Sequence, residues 1–318
     1  MPGVAVTLRI INRAISVKSI CLTSLSSRKQ FGVVYLSKKI SVETKESIVR
    51  MYKSRPMPIS CLCKEFNLCA PVISKILAQY HVRLWSKAEL FSPDLDQRYF
   101  QYIDSPSKAY FLGLITTDGC VFWKSNKSAF LTVELQSRDA YILEALMREV
   151  KCNRKIVYNP KTDTFAATIS STQMVRDLEQ YKVTQRSSFT QEFPSNISRE
   201  YLSDYLRGLI DGDGSYAFYS RPGRRVHQKA VRMCCANKTF MEAFIDCMVK
   251  ATGAAPVTIS AEHGVLYTCA WTRKNDVEAI IQYLYSHDGY HLRRKKEIAD
   301  KILGEIRQYR DNRQSAAS

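Results

Sequence analysis

The sequence predicts an α+β fold made of two copies of one α/β unit, with a small all-α module in front of them. Residues 110–119 and 205–214 repeat each other at an offset of 95 residues, and six of the ten positions are identical. The segments that follow each copy come in the same order. The 318 residues suffice for two or three domains, and 45% of them are hydrophobic, enough for a sizeable core. Two copies of one unit imply a pseudo-two-fold molecule within a single chain.

The charge of the chain indicates what it binds. Lys and Arg number 47 against 30 Asp and Glu, which gives a formal net charge of +17. Such a charge favours a polyanionic partner, nucleic acid first and an anionic membrane surface second. No uninterrupted apolar stretch approaches the roughly 18 residues that a membrane-spanning helix needs. We therefore expect no membrane partner.

The cysteines and the first residues bear on the compartment. The ten cysteines are scattered and form no C-x-x-C pair, which is typical of free thiols in an intracellular reducing compartment. Residues 1–39 contain seven basic side chains and no acidic one. This composition resembles an organellar transit peptide, and it equally fits a basic arm that contacts phosphates.

Residues 40–86 are predicted to form a small module of three short helices. The pattern breaks at Arg55–Pro58, and Pro71 begins the third helix at its favoured first position. Lys75 lies on the polar side of that helix. The stretch resembles the helix-turn-helix modules of resolvases and transposases. A three-helix bundle that serves only for packing stays the alternative, and residues 87–106 are predicted to be a linker.

Each repeat is predicted to open with a helix that ends at an aspartate. Ser105 can cap the first of these helices, and Gly119 is predicted to end it in a left-handed conformation. Small residues recur four apart, and so on one helix face, at Gly113 with Thr117 and at Gly208 with Gly212. If these stripes pack together, the two terminal aspartates emerge side by side. The later segments are predicted as helices over 139–150, 172–181, 238–250 and 274–285 and as strands over 155–169 and 256–271.

The two aspartates, Asp118 and Asp213, make the strongest candidate site. A helix C-terminus already carries partial negative charge, so two carboxylates at two such ends repel each other unless a cation is present. Paired carboxylates favour Mg²⁺ or Mn²⁺. In a chain of charge +17, a metal held in this way indicates phosphodiester hydrolysis.

The two aspartate segments, residues 111–119 and 206–214, resemble the LAGLIDADG signature of homing endonucleases. The resemblance covers about residues 107–307. It implies two αββαββα repeats, over 107–195 and 196–310, whose saddle-shaped antiparallel sheets lie over DNA, with a short tail at 311–318.

The resemblance also implies roles for particular residues. The last acid of each motif, Asp118 and Asp213, binds the metals. Gln136 fits a polar position near the end of a strand, for which the second copy offers Cys235 or Ala236. Arg273 or Lys274 fits a basic position before the third helix of a repeat, and we favour Lys274. Thr116 replaces the earlier acid of the motif.

The strands after each motif are predicted to contact DNA. Residues 215–233 alternate around a basic turn, and a two-stranded ribbon of this width fits the major groove. A solvated hairpin tip is the alternative. Residues 293–296, Arg-Arg-Lys-Lys, are expected to hold phosphates. The predicted DNA contacts are basic side chains from both repeats and the helical module: Lys124, Lys127, Arg221, Arg224, Arg225, Lys229, Arg232 and Lys75.

The function predicted from these features is that of a monomeric homing endonuclease with a helix-turn-helix module. The resemblance implies a magnesium-dependent cut of both DNA strands at a long asymmetric site, leaving 3′ overhangs. Two alternatives remain: a maturase that binds intron RNA on the same scaffold, and a transcription regulator that binds DNA without cutting it.

The net charge predicts a steep salt dependence of DNA binding. Binding releases condensed counterions from each neutralised phosphate, so log K should fall linearly with log of the salt concentration. Affinity titrations with a duplex between low and moderate salt measure the slope. A flat response would contradict a binding surface made of basic side chains.

Overall fold

The computed structural model describes residues 40–315 except for six short gaps, at 86–88, 91, 126–127, 186–189, 221–226 and 263–265. Residues 46–318 belong to one compact unit. Residues 40–45 fall outside that unit, and the first helix begins among them, at Val42. Among the described residues, no helix combines the length and the apolar character needed to span a membrane.

Three short helices come first: α1 at Val42–Ser54, α2 at Ile59–Phe66 and α3 at Ala70–Gln79. They bury a small set of apolar side chains that recur at helical spacing, namely Ile48, Tyr52, Leu62, Ile73, Ile76 and Leu77. The helix α2 begins directly after Pro58, which is its N-cap residue. Asn67 ends α2 in the left-handed conformation, φ 50°.

Each repeat has the order αββαββα. The first consists of α4 (Pro106–Asp118), β1 (Gly119–Ser125), β2 (Ser128–Gln136), α5 (Ala140–Glu149), β3 (Val157–Asn159), β4 (Thr164–Ser170) and α6 (Thr172–Glu179). The second consists of α7 (Leu202–Gly212), β5 (Gly214–Tyr219), β6 (Gln228–Cys235), α8 (Lys238–Thr252), β7 (Ser260–Glu262), β8 (Leu266–Trp271) and α9 (Lys274–Leu284). The long helix α10 (Arg293–Ser315) follows. The predicted α+β fold of two repeats is confirmed.

The two sheets have the same topology. Each is antiparallel and four-stranded, in the order β1-β2-β4-β3 in the first repeat and β5-β6-β8-β7 in the second. Along each strand, side chains alternate between the helix-packed core and an outer face, as a period of two requires. In β2, for example, Leu131 and Val133 are buried while Thr132 between them is partly exposed.

The helices α4 and α7 pack backbone against backbone. A Cβ atom added to Gly113 would lie 2.1 Å from the Tyr205 carbonyl oxygen, and one added to Gly208 would lie 2.3 Å from the Tyr110 carbonyl oxygen. Only glycine leaves room for so close an approach. The predicted packing of the two small-residue stripes is therefore confirmed, and it lies at the pseudo-two-fold axis.

Gly119 does not end α4 in the left-handed conformation, and that prediction is wrong. Its φ of −86° and ψ of 149° are extended, so it is the first residue of β1. The glycine is required for a different reason, because a Cβ atom there would lie 2.3 Å from the Ile115 carbonyl oxygen. The predicted cap at the other end is present, since the Ser105 hydroxyl accepts a hydrogen bond from the Lys108 N–H at 3.3 Å.

The segment predicted as a linker packs against the first repeat. Leu95, Tyr99, Phe100 and Ile103 are buried and belong to the core that extends through both repeats. The Tyr99 hydroxyl donates a hydrogen bond to Glu149 at 2.9 Å. The chain from residue 92 onwards is thus part of the folded core rather than a free connection.

The helix contact predicts opposite effects for two glycine substitutions. Gly208→Ala would force the two backbones apart, and overpacking of this kind destabilises by about 1–3 kcal/mol or more. Gly304→Ala in α10 meets no atom within 4 Å and should stabilise by up to about 1 kcal/mol, because alanine favours a helix. Urea unfolding of both variants measures the two changes. Equal free energies of unfolding would contradict the close packing.

Candidate active site

The two aspartates are neighbours at the ends of the paired helices. Asp118 is the last residue of α4, and Asp213 directly follows α7. An Oδ atom of Asp118 lies only 2.8 Å from the position that a Cβ atom on Gly212 would take. Because Gly212 has no side chain, the Asp118 carboxylate can lie against α7. The charge of Asp213 is close enough to raise the pKa of Asp118.

The surroundings disfavour negative charge on both aspartates. Burial, followed by the charge of Asp213, raises the pKa of Asp118 to about 7. Burial raises the pKa of Asp213 to about 6. Asp213 is exposed and Asp118 half-buried, so protein atoms crowd the carboxyl groups while solvent still reaches the residues. A site that is open, negative and poorly solvated is suited to a cation.

Lys295 has the largest charge effect in favour of ionised Asp118 and Asp213. The sequence grouped it with residues 293–296 as an expected phosphate contact, but its ammonium is instead buried against backbone carbonyls. It is 5% exposed, and its Nζ donates to the backbone carbonyls of Ile210, Asp211, Gly212 and Gly214 at 2.5–3.2 Å. Three of these carbonyls, those of Ile210, Asp211 and Gly212, belong to the last turn of α7, and Gly214 is the first residue of β5. Burial lowers the pKa of Lys295 to about 8, and its charge lowers the pKa of both aspartates.

A buried network holds the segment before Lys295 against α7. The Arg207 guanidinium, fully buried, donates to Asp204 at 2.5 Å and to the carbonyls of Leu284 and Tyr290 at 2.6 and 3.0 Å. His287 contacts the other oxygen of Asp204 at 2.9 Å. Because Arg207 and Asp204 are both buried, loss of either one would leave the other charge unsatisfied.

The earlier acid of the second motif has a structural contact. One oxygen of Asp211 accepts hydrogen bonds from the Leu292 N–H at 2.8 Å and from the Tyr110 hydroxyl at 3.0 Å. Asp211 therefore fixes the start of α10, three residues before Lys295. Its counterpart Thr116 bonds instead to the Leu112 carbonyl oxygen at 2.8 Å. Threonine in place of the earlier acid therefore alters a structural hydrogen bond of the first motif and leaves the pair Asp118 and Asp213 in place.

Gln136 lies at the same end of the first sheet as Asp118. It is the exposed last residue of β2, and the register pairs Gly119 with Val133. Asp139 follows; its charge raises the pKa of Asp118, and it accepts a hydrogen bond from Arg294 at 2.9 Å. In the second sheet Gly214 pairs with Met233, so the register assigns Ala236, not Cys235, as the counterpart of Gln136.

The structure separates Lys274 from the aspartates. Its Nζ lies 4.0 Å from the ring centre of Tyr309 in α10. Tyr309 is 14 residues beyond Lys295, which amounts to roughly 21 Å along the helix. Lys274 instead lines a cavity of about 630 Å³ together with Lys229 and Glu305. Of the two lysines, it is Lys295 whose charge acts on both aspartates.

The predicted DNA contacts divide into four groups. Lys124 and Arg232 are exposed on the outer faces of the two sheets, and Lys75 is exposed on α3. Lys229 is on the helix side of β6, only 10% exposed and 2.7 Å from Glu305, so its predicted contact with DNA is wrong. A period of two puts residues 229 and 232 on opposite faces. The others lie outside the described residues: Lys127, Arg221, Arg224 and Arg225.

The comparisons with known proteins concern structure alone. No protein-family model and no curated protein matches the chain. The solved I-LtrWI LAGLIDADG homing endonuclease bound to target DNA is 14% identical, with 67% of this chain and 92% of that chain covered at a TM-score of 0.48. The LAGLIDADG homing endonuclease I-GzeII in complex with DNA target is 12% identical, with 64% of this chain and 92% of that chain covered at a TM-score of 0.48. I-SmaMI bound to uncleaved DNA target in the presence of calcium ions is 15% identical, with 64% of this chain and 97% of that chain covered at a TM-score of 0.43.

The raised pKa of Asp118 predicts how stability depends on pH without metal. The folded protein keeps the proton up to about pH 7, whereas the unfolded chain loses it near 3.8, so stability should fall as pH rises between those values. Asp118→Asn removes the part of this fall that Asp118 causes, while Asp213, whose pKa is also raised, keeps its own part. The variant should stabilise the metal-free protein by about 0.3–1 kcal/mol above neutral pH. Urea unfolding in acid and in mild base measures both curves. A variant that is less stable at every pH would contradict the repulsion.

Proposed function

We propose that this protein is a site-specific endonuclease that cuts double-stranded DNA by metal-dependent hydrolysis of phosphodiester bonds. The observation that carries the proposal is the pair of carboxylates at the ends of α4 and α7, in a chain of net charge +17. The basic surface attracts the phosphate backbone, and the acidic pair supplies the ligands that a hydrolytic metal needs.

The donor set fits Mg²⁺ or Mn²⁺. Asp118 and Asp213 offer carboxylate oxygens, and protein crowding together with mutual repulsion makes a cation favourable there. Within the part of the chain that the structure describes, no group of three or more His, Cys, Asp or Glu could hold a metal. Mg²⁺ commonly takes one or two carboxylates and completes its shell with water and substrate phosphates. When bound, the metal would polarise the phosphate and lower the pKa of an attacking water.

Three side chains around the pair have supporting roles in this proposal. Lys295 keeps a positive charge beside both aspartates, which limits their repulsion and favours the developing charge on phosphate. Arg294, held by Asp139, adds a second charge near Asp118. Gln136 is placed to hydrogen-bond a water molecule on the Asp118 side.

The outer faces of the two sheets form the proposed DNA surface. Lys124 on β1 and Arg232 on β6 are exposed there, one in each repeat. We propose that the chain acts as a monomer whose two repeats bind the two halves of a long asymmetric site, with 3′ overhangs as products. Lys75 on α3 would contact phosphates outside that site, as a helix-turn-helix module would.

The proposal predicts separable effects on cutting and binding. Asp118→Asn and Asp213→Asn should each lower cleavage by orders of magnitude, because each removes a metal ligand without changing shape. DNA affinity should persist, since it depends on basic side chains elsewhere. Cleavage of DNA from the protein's own insertion locus with Mg²⁺, beside a binding titration in Ca²⁺, measures the two quantities.

Lys274→Ala is the matched control, because that lysine contacts Tyr309 and lies roughly 21 Å along α10 from Lys295. It should leave the cleavage rate within a few-fold of the unchanged protein. If Asp118→Asn cut both strands at the normal rate, the assignment of the active site would be wrong. Tight binding with no cutting by the unchanged protein would favour the regulator, and selective binding of intron RNA would favour the maturase.

A further inference from the structure

Arg232 stands out on the outer face of the second sheet. The register puts nine other side chains of β5, β6 and β8 on the same face as Arg232, and all nine are uncharged, with Ala230 buried: Ser215, Ala217, Tyr219, Gln228, Ala230, Cys234, Leu266, Thr268 and Ala270. Arg232 is exposed, whereas Val231 and Met233 on either side of it are fully buried.

Small neighbours surround this arginine. The register puts Arg232 directly opposite Ser215 on β5 and opposite Ala270 on β8. In the described part of the chain, no hydrogen bond or ion pair engages its guanidinium. Its planar fork of N–H donors is therefore free to meet a planar acceptor pair, and the short side chains beside it let a partner come close.

The position of Arg232 relative to the aspartates sets where it would contact DNA. Ser215, its partner across the strands, is two residues after Asp213. At about 3.3 Å per residue this is roughly 7 Å along the strand. DNA rises about 3.4 Å per base pair, so the contacted pair would lie about two to four pairs from the cleaved phosphate.

The first repeat differs at the equivalent place. Gly119 pairs with Val133 as Gly214 pairs with Met233, so Thr132 is the counterpart of Arg232 and Thr168 the counterpart of Ala270. The hydroxyls of Thr132 and Thr168 hydrogen-bond to each other at 3.1 Å. The first sheet thus presents a neutral, mutually satisfied pair where the second presents an unpaired guanidinium.

We propose that Arg232 determines base specificity by donating to O6 and N7 of a guanine in the half-site bound by the second repeat, and that the first half-site has no matching guanine. Bidentate donation to these two acceptors is the contact by which arginine selects guanine in the major groove. The inference rests on the proposed DNA-binding function and narrows it to one base pair.

Selection from a duplex library tests the proposal without relying on cleavage. The full chain, with Ca²⁺ in place of Mg²⁺, selects duplexes from a library randomised across its site. We expect one guanine preference near the centre of the second half-site. Arg232→Ala should abolish that preference alone, and affinity for the guanine duplex should fall roughly 5- to 150-fold. Arg232→Lys keeps the charge but not the fork, and should also lose the preference while it retains part of the affinity.

A transfer variant gives the reciprocal test. Thr132→Arg with Thr168→Ala reproduces the second sheet's arrangement on the first, and should create a guanine preference at the mirror position. Far-UV circular dichroism and thermal melting check that the variants fold. Unchanged base frequencies in Arg232→Ala would overturn the inference and leave the endonuclease proposal intact. If the unchanged chain selects no duplex sequence at all, the proposed function and the inference both fail.

Discussion

The contact between the backbones of α4 and α7 is the constraint on which the rest of the molecule depends. Gly113 and Gly208 bring the helices so close that a methyl group on either would overlap the opposite backbone. The same contact joins the two repeats, sets the pseudo-two-fold axis and brings both helix ends to one place. Since each helix ends at an aspartate, the packing that holds the fold together also creates the acidic pair.

The arrangement has an electrostatic penalty that the rest of the chain offsets. Burial raises the pKa of both aspartates, and the charge of Asp213 adds to the shift of Asp118, so two ionised carboxylates are unfavourable there without a cation. Lys295 bonds the free carbonyls at the end of α7, and the buried Arg207–Asp204 pair holds the chain that delivers it. A stable scaffold thus supports a locally unfavourable pair of charges.

The two repeats share a backbone and differ in chemistry. Equivalent positions hold Gln136 and Ala236, and the earlier motif position holds Thr116 in one copy and Asp211 in the other. In the second repeat, Asp211 accepts a hydrogen bond from the Leu292 N–H, just before α10, the helix that contains Lys295. A molecule symmetric in fold and asymmetric in side chains is suited to a partner whose two halves are alike in shape but not in sequence.

The sequence by itself determined the repeat, the order of helices and strands, and the meeting of Asp118 with Asp213. These features depend on local periodicity and on glycine spacing, both of which are written along the chain. The sequence also shows that Lys229 and Arg232 are an odd number of residues apart, so that in one strand they lie on opposite faces. We had predicted both as DNA contacts because both are basic. Only the tertiary structure decided that Lys295, not Lys274, lies beside the aspartates, and that Gly119 is needed for close packing. Those facts depend on which segments meet across 80 or more residues or on one steric contact, and no local pattern records them.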